Sequence, residues 1–400
     1  MRKIDSIVHL HCVQTTLLSV YGDAGPASTS VHQTIQRRKA GDKLKMRLPL
    51  RTKRAPRGQD VCFDHPEALS MVKNSRGGAV TTNGGLRHTI KVLLLFAAWY
   101  ALNVQYNMVN KKVLNMLPLP WLVAVAQLAV GVVYCGILWA TRLRPFPLGS
   151  LSTTDWKAIF PIGICHGAGQ CATVLSLCAG AVSFTHIVKA LEPFFSALVS
   201  AVASGVILAP QVYAALIPVV GGVSVAVAKE LSFSWLSFGT AMFSNLAFAM
   251  RAVYSKLAMG NASLGLSAPN LYGVVTLTAF IVMTPIALVM EVPKFRNIWA
   301  AAVSEEALAP TTPKILATKV LLSGLFHYLN NEMMYFVLGE VHPITLAVGN
   351  TLKRTVLIVA SLIVFQNPIT PTAAVGSTVA MLGVLVYSLT KAHYDKKAAQ

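Results

Sequence analysis

An all-α polytopic membrane protein, with ten transmembrane helices arranged as two inverted five-helix repeats, is the fold class this sequence predicts. Three observations lead there. The chain is 54% hydrophobic and only 12% charged, with a mean hydropathy of +0.58, outside the range of an ordinary soluble domain. Apolar runs close to twenty residues, the helix length that crosses a hydrocarbon core about 30 Å thick, recur along it. Two polar-headed stretches of similar wording lie one in each half.

Taken in order, residues 1–90 form a basic extension with 15 Lys/Arg against 6 Asp/Glu and no apolar run of membrane length. Within it QRRKAGDKLKMRLPLRTKRAPRG (Gln36–Gly58) reads as a targeting segment or a solvated disordered arm. Ser6–Gly22, behind Met1-Arg2-Lys3, imitates a signal peptide only loosely, because His, Gln and Thr interrupt its apolar core. No aromatic-interleaved basic motif accompanies the charge, so a nucleic-acid partner is not expected. The runs follow at about 91–110, 119–141, 156–178, 181–206, 210–228, 234–256, 268–291, 317–339, 342–366 and 371–391. Each must be helical, because lipid offers its backbone groups no other partner. Only Ala179–Gly180–Ala181 separates the third run from the fourth. A turn at Pro210 ends the fourth, and Glu230–Ser234 is the junction between the halves. The first repeat therefore covers 91–230, the second 231–392, and 393–400 is a short polar tail. Trp99, Trp121, Trp139 and Trp156, near run ends, read as interface belts. Loop charge is nearly balanced on the two sides. The basic arm tips the orientation towards termini in the cytosol-like compartment.

The repeat rests on AVSFTHIVKALEPFFSALVSAVASGVILAPQ (Ala181–Gln211) and EVHPITLAVGNTLKRTVLIVASLIVFQNPIT (Glu340–Thr370). Both carry a hydroxyl and a histidine in the head, then lysine, then a proline turn. Lys353 follows Lys189 by 164 residues and Pro368 follows Pro210 by 158. Five spans is an odd number, so the second copy enters from the opposite side. Both lysines then point to one central place.

The charges inside the runs carry the functional reading: Lys189, Arg251, Lys353 and Arg354, with Glu192 and Glu332 as acidic company. A cation at a helix centre costs roughly 2.5–3.5 kcal/mol to insert, so these face a protein-lined, wet or ligand-filled cavity. On a continuous helix Lys189 shares a face with Thr185, His186 and Glu192. Lys353 shares one with Gly349 and Asn350, and Arg354 is rotated about 100° from it. Gly349 permits a close approach to the backbone. Two lysines and an arginine in a dry place suit a dianion with several acceptor oxygens. The alternative makes Lys189–Glu192 and Arg251–Glu332 ion pairs between helices. No acidic residue follows Lys353 and Arg354 in their own span, which turns that pair towards a ligand.

Other chemistries find little support. The six cysteines include no C-x-x-C pair and no Cys/His spacing suited to zinc, so no metal or cofactor is expected. His166 and His327 lie inside runs without metal-ligand companions and read as packing or hydrogen-bonding groups. Lys256 ends its run and also suits an interfacial anchor. There is no nucleophile–base set, paired carboxylates or phosphate loop, which argues against an enzyme.

SFTHIVKALEPFFS (Ser183–Ser196), NLAFAMRAVYSK (Asn245–Lys256) and AVGNTLKR (Ala347–Arg354) together resemble the plastid phosphate translocator family of the drug/metabolite transporter superfamily, over about residues 90–392. The resemblance implies ten helices in two inverted halves and strict exchange of inorganic phosphate for phosphorylated carbon compounds. It also implies a plastid membrane, either the inner envelope or an outer membrane of a complex plastid. It assigns the phosphate group to Lys189, Lys353 and Arg354, a substrate contact at the carbon end to Thr173, and a place near the cavity to Arg251 with Lys256 behind it; the residue reading adds His186 and Glu332 to the cavity's electrostatics. Two positions depart from the triose-phosphate members, which carry His where this chain has Gln170 and Tyr where it has Asn330, with Tyr328 nearby as a substitute. Members of the phosphoenolpyruvate type carry an amide at the Gln170 position. The wording of YLNNE and GEVHPITLAVGNT resembles translocators of complex plastids, which implies broader use of three-carbon phosphates. A lipid bilayer and phosphorylated small molecules are thus the expected partners, and a homo-oligomer is left open. The competing reading is a nucleotide-sugar transporter of Golgi or endoplasmic-reticulum membranes. An intramembrane enzyme using His166 or His327, and a channel, stand further off.

Overall fold

Proline and capping chemistry set where the helices begin. The structure, a computed structural model, describes residues 82–205, 207–228, 230–231, 233–260, 265–304, 312–341, 343–367 and 369–398. The basic stretch, the signal-like segment, Cys12 and Cys62 lie outside the described residues, as does the side chain of Lys256. The described residues hold helices and no strand: α1 (Thr82–Met116), α2 (Pro120–Ala140), α3 (Thr153–Ala179), α4 (Val182–Val188), a 3₁₀ turn (Lys189–Leu191), α5 (Glu192–Ser204), α6 (Pro210–Ala214), α7 (Ile217–Ala228), α8 (Trp235–Gly260), α9 (Ala268–Ala302), α10 (Pro313–Glu340), α11 (Pro343–Phe365) and α12 (Pro371–Ala398). A further 3₁₀ turn, Leu148–Ser150, precedes α3.

Proline opens or nearly opens α2, α5, α6, α9 and α10, where its missing amide would be unpaired anyway. Ser152 and Asp155 cap α3 reciprocally, the Asp155 amide donating to Ser152 Oγ at 3.2 Å and the Ser152 amide to Asp155 Oδ2 at 2.9 Å. α2 has no cap of its own; Glu291 of α9 supplies one, accepting from the amides of Trp121 and Leu122 at 3.2 and 2.8 Å. α5 ends at Gly205, whose φ of 65° is the left-handed conformation that stops a helix.

Among the described residues, eight segments are long and apolar enough to cross a membrane: Arg87–Met116, α2, α3, Val182–Ala203, Pro210–Ala228, α9, Val348–Phe365 and Pro371–Asp395. Two expected spans fall short of that. α8 and α10, at 26 and 28 residues, are long enough but not apolar enough. The reason is what they bury: Ser237, Ser244 and Asn245 on α8, and Ser323, His327, Asn330 and Glu332 on α10. These residues turn inward, while Leu93, Val133, Val202, Val289 and Ile363 remain exposed and suit a lipid-facing surface. Several boundaries also differ from the sequence reading, and α9 runs eleven residues past its expected end at 291, to Ala302. α1 begins nine residues earlier, at Thr82, and α12 runs through the supposed polar tail to Ala398.

α3 is the most buried of the apolar segments and forms the spine of the site. α8 and α9 pack along it, α9 and α10 pack on α2, α12 packs on α7, and α11 packs on α4 and α12. The α7–α12 crossing is close because Gly222 and Gly376 face one another, leaving no room for a Cβ at either.

Candidate functional site

The run that begins at Val182 does not stay α-helical. Pro193 lacks the amide that would donate to the Lys189 carbonyl four residues back, and the chain tightens there into the turn Lys189–Leu191. The Lys189 carbonyl accepts instead from the Glu192 amide and from the Arg354 guanidinium on α11, whose second nitrogen pairs with the Glu192 carboxylate. A proline in the first half thus creates the acceptor that docks an arginine of the second.

The side chains around this break fan out. Lys189 Nζ donates to Ser244 Oγ at 2.8 Å and Thr173 Oγ1 at 3.2 Å, and lies 4.6 Å from the Phe248 ring centre. Thr185 bonds Ser176 at 2.9 Å and His186 Nε2 bonds Asn107 Oδ1 at 2.9 Å. Lys353 Nζ sits 4.1 Å over the Trp99 ring. Trp99 is therefore no interface residue: it is fully buried and faces a cation with its π-surface. Gly349 serves the approach of α1, since a Cβ there would strike the Phe96 ring, and its carbonyl accepts from Tyr100 OH at 2.7 Å. Hydroxyls and aromatic faces receive both lysines. Together with Glu192 the three cations leave two net positive charges.

Neither ion pair weighed from the sequence forms. Glu192 meets Arg354 rather than Lys189, because the break removes the continuous helical face those two would share. Glu332 accepts from Arg144 Nη1 at 2.5 Å and from Tyr134 OH at 3.4 Å. Arg251 donates instead to His166 Nδ1 at 3.0 Å and lies 4.8 Å from the Phe248 ring centre. Arg354, which the sequence turns towards a ligand, has a protein carboxylate as partner. The ion pairs Lys91–Glu340, Arg144–Glu332 and Arg354–Glu192 each join the first half of the chain to the second.

Of the four residues that the family resemblance puts at the substrate's carbon end, Thr173 instead receives Lys189 at 3.2 Å, and Gln170, Asn330 and Tyr328 go to different places. Gln170 Nε2 donates to Gln127 Oε1 at 2.8 Å and Tyr106 OH at 2.9 Å. Asn330 Oδ1 accepts from Asn103 Nδ2 at 3.1 Å. Tyr328 is fully buried and turned away, its hydroxyl 2.7 Å from Cys135 Sγ and its ring 5.0 Å from those of Tyr134 and Tyr272.

Residues 90–388 match the model of the Triose-phosphate Transporter family. This chain is a member of the triose-phosphate transporter family. It is 38% identical over 302 residues to "Glucose-6-phosphate/phosphate translocator 2, chloroplastic" of Arabidopsis thaliana, covering 76% of each chain. It is 39% identical over 302 residues to "Triose phosphate/phosphate translocator, chloroplastic" of Zea mays, covering 76% of this chain and 71% of that one. To "Phosphoenolpyruvate/phosphate translocator 1, chloroplastic" of Arabidopsis thaliana it is 38% identical over 309 residues, covering 77% and 74%.

Some polar contacts of this triose-phosphate transporter family member were missed in its sequence. Asn103, Asn107 and Asn110 stand at helical spacing on α1, and all three are buried against the site; the i, i+4, i+7 pattern was the available signal. Pro193, four residues past Lys189, was the signal for the helix break. Ser244, Phe248 and Gln127 gave none, because only tertiary packing brings them to their partners.

Proposed function

We propose that this chain is an antiporter that exchanges inorganic phosphate for phosphorylated three-carbon compounds (triose phosphate, 3-phosphoglycerate and phosphoenolpyruvate) across a plastid membrane by alternating access. The observation that carries the reading is the cluster at the helix break. Lys189, Lys353 and Arg354 with Glu192 hold two net positive charges, the charge a phosphate dianion neutralises. Family membership and relatives whose names pair phosphate with three kinds of phosphorylated carbon compound support the same reading.

In this proposal Lys189, Lys353 and Arg354 bind the phosphate oxygens, Thr173 adds a hydroxyl, and Arg251, Gln170 and Asn330 line the carbon end. The architecture is ten spans in two inverted halves, 91–230 and 231–392. The helix pairings support it: α2 packs on α9, α4 on α11 and α7 on α12. Each of these pairs joins a helix to its counterpart in the other half, as a pseudo-two-fold axis in the membrane plane requires. α3 on α9 and α2 on α10 are the partners that such an axis exchanges.

Coupling follows from charge. Without an anion the cations repel one another in a poorly solvated space, so closure of the empty site is costly. A dianion removes that repulsion, so the loaded carrier crosses. Purified protein in phosphate-loaded vesicles tests the substrate class. External triose phosphate, 3-phosphoglycerate and phosphoenolpyruvate should each drive out labelled internal phosphate. Exchange driven by a nucleotide-sugar and by none of these would replace the reading with that of a nucleotide-sugar carrier.

A further inference from the structure

The carbon end of the site contains two buried histidines that the phosphate-binding reading does not use. We propose that His166 and His327 are specificity-determining residues, and that with Arg251 they select a carboxylated three-carbon phosphate over an uncharged one. This deepens the proposed exchange function and rests on it.

Position comes first. Thr173, Gln170 and His166 are seven residues apart end to end on one face of α3, about 10 Å along its axis. Thr173 touches Lys189, at the phosphate end. His166 touches Arg251. The Phe248 ring spans the interval, 4.6 Å from Lys189 Nζ and 4.8 Å from Arg251 Cζ, which puts the two cationic centres less than about 10 Å apart. A phosphate at one end and a carboxylate at the other of a three-carbon skeleton fit that separation. His327 joins from α10, its ring 6.3 Å from that of His166 at 20° and 5.1 Å from that of Tyr106.

Chemistry comes second. A guanidinium only donates, so His166 Nδ1 must accept from Arg251, which places the His166 proton on Nε2. That Nε2–H has no partner among the described residues, and neither nitrogen of His327 has one. Both side chains are almost wholly buried, at 1% and 2% exposure. Buried donors and acceptors without partners are uncommon in folded proteins. Here three of them sit beside an arginine that no carboxylate pairs with among the described residues. A carboxylate accepts from the Arg251 fork and from His166 Nε2–H. The neighbouring C2 hydroxyl of 3-phosphoglycerate bonds His327, which both donates and accepts. An aldehyde or ketone end leaves the Arg251 charge unmatched. Gln170 Nε2 and Asn330 Oδ1 are already engaged with Gln127, Tyr106 and Asn103, whereas three ring nitrogens of the two histidines have no partner among the described residues.

The test is counter-exchange in vesicles loaded with labelled phosphate, comparing KM for 3-phosphoglycerate with KM for dihydroxyacetone phosphate. The wild type should favour phosphoglycerate, and equal or reversed preference overturns the proposal. His327→Phe keeps a ring for the contacts with His166 and Tyr106 but removes both nitrogens. It should shift the KM ratio about tenfold against phosphoglycerate, and His166→Phe likewise. His327→Gln, which restores a donor and an acceptor, should recover part of the shift, as a packing role would not. An unchanged ratio in the Phe variants overturns the assignment. If His327→Phe exchanges nothing, the ratio for His166→Phe against wild type decides in the same way. A wild-type protein that exchanges phosphate with neither compound defeats the antiport reading itself.

Discussion

Replacing Lys189 by Met removes the ammonium and keeps much of the side-chain volume. The structure says what else is lost. Thr173 and Ser244, which receive the ammonium, each keep a bond to their own helix, to the carbonyls of Gly169 at 2.8 Å and Ala241 at 3.0 Å. Neither hydroxyl is orphaned, so the usual cost of an abandoned buried partner does not arise. Deleting a buried cation also removes an insertion cost of roughly 2.5–3.5 kcal/mol. The loss therefore falls on the ligand. One charge-assisted hydrogen bond to a dianion is worth about 1.5–3 kcal/mol, or roughly ten- to a hundredfold in affinity. Phosphate–phosphate exchange at sub-saturating substrate should fall by that factor, while the thermal unfolding midpoint of the purified protein holds or rises. Exchange at the wild-type rate would remove Lys189 from the site. Lost exchange with a lowered midpoint would make it a structural residue.

Glu192→Gln frees Arg354 of its carboxylate. At an effective dielectric near 20, a charge about 8 Å away contributes roughly 2 kcal/mol. The phosphate KM in vesicle uptake should therefore fall roughly thirtyfold, and the maximal rate should fall with it because the tighter-bound product leaves slowly. Arg144→Ala strands Glu332, whose side chain is 5% exposed, and should cost about 3–5 kcal/mol in unfolding experiments; the double variant Arg144→Met/Glu332→Met should recover most of that. At the α7–α12 crossing, Gly376→Ala drives a Cβ into the backbone of Ala226 and Gly222 and should cost about 1–3 kcal/mol. Gly136→Ala, which meets nothing within 4 Å, is the thermal-unfolding control and should cost nothing.

Composition and apolar run length located most of the helices, and the cost of charge in lipid singled out Lys189, Arg251, Lys353 and Arg354. What stayed hidden was pairing. A continuous helix puts Glu192 under Lys189, but Pro193 breaks that helix and turns the carboxylate to Arg354. Arg144 and Glu332 are 188 residues apart, and no local pattern joins them. Trp99 looked like an interface residue because one-dimensional position near a run's end cannot show which way α1 faces. α8 and α10 fall below the apolar threshold because they turn their polar residues to the interior, where sequence hydropathy cannot distinguish a cavity wall from a soluble surface. His166 and His327 were legible as buried polar groups. Their juxtaposition with Arg251 required α3, α8 and α10 to be packed together.

The central claim is that an anion must neutralise Lys189, Lys353 and Arg354 before the carrier crosses. Labelled phosphate uptake into vesicles with and without internal phosphate tests it most directly. The account predicts rapid uptake into loaded vesicles and almost none into empty ones; rapid net uptake into empty vesicles would contradict it.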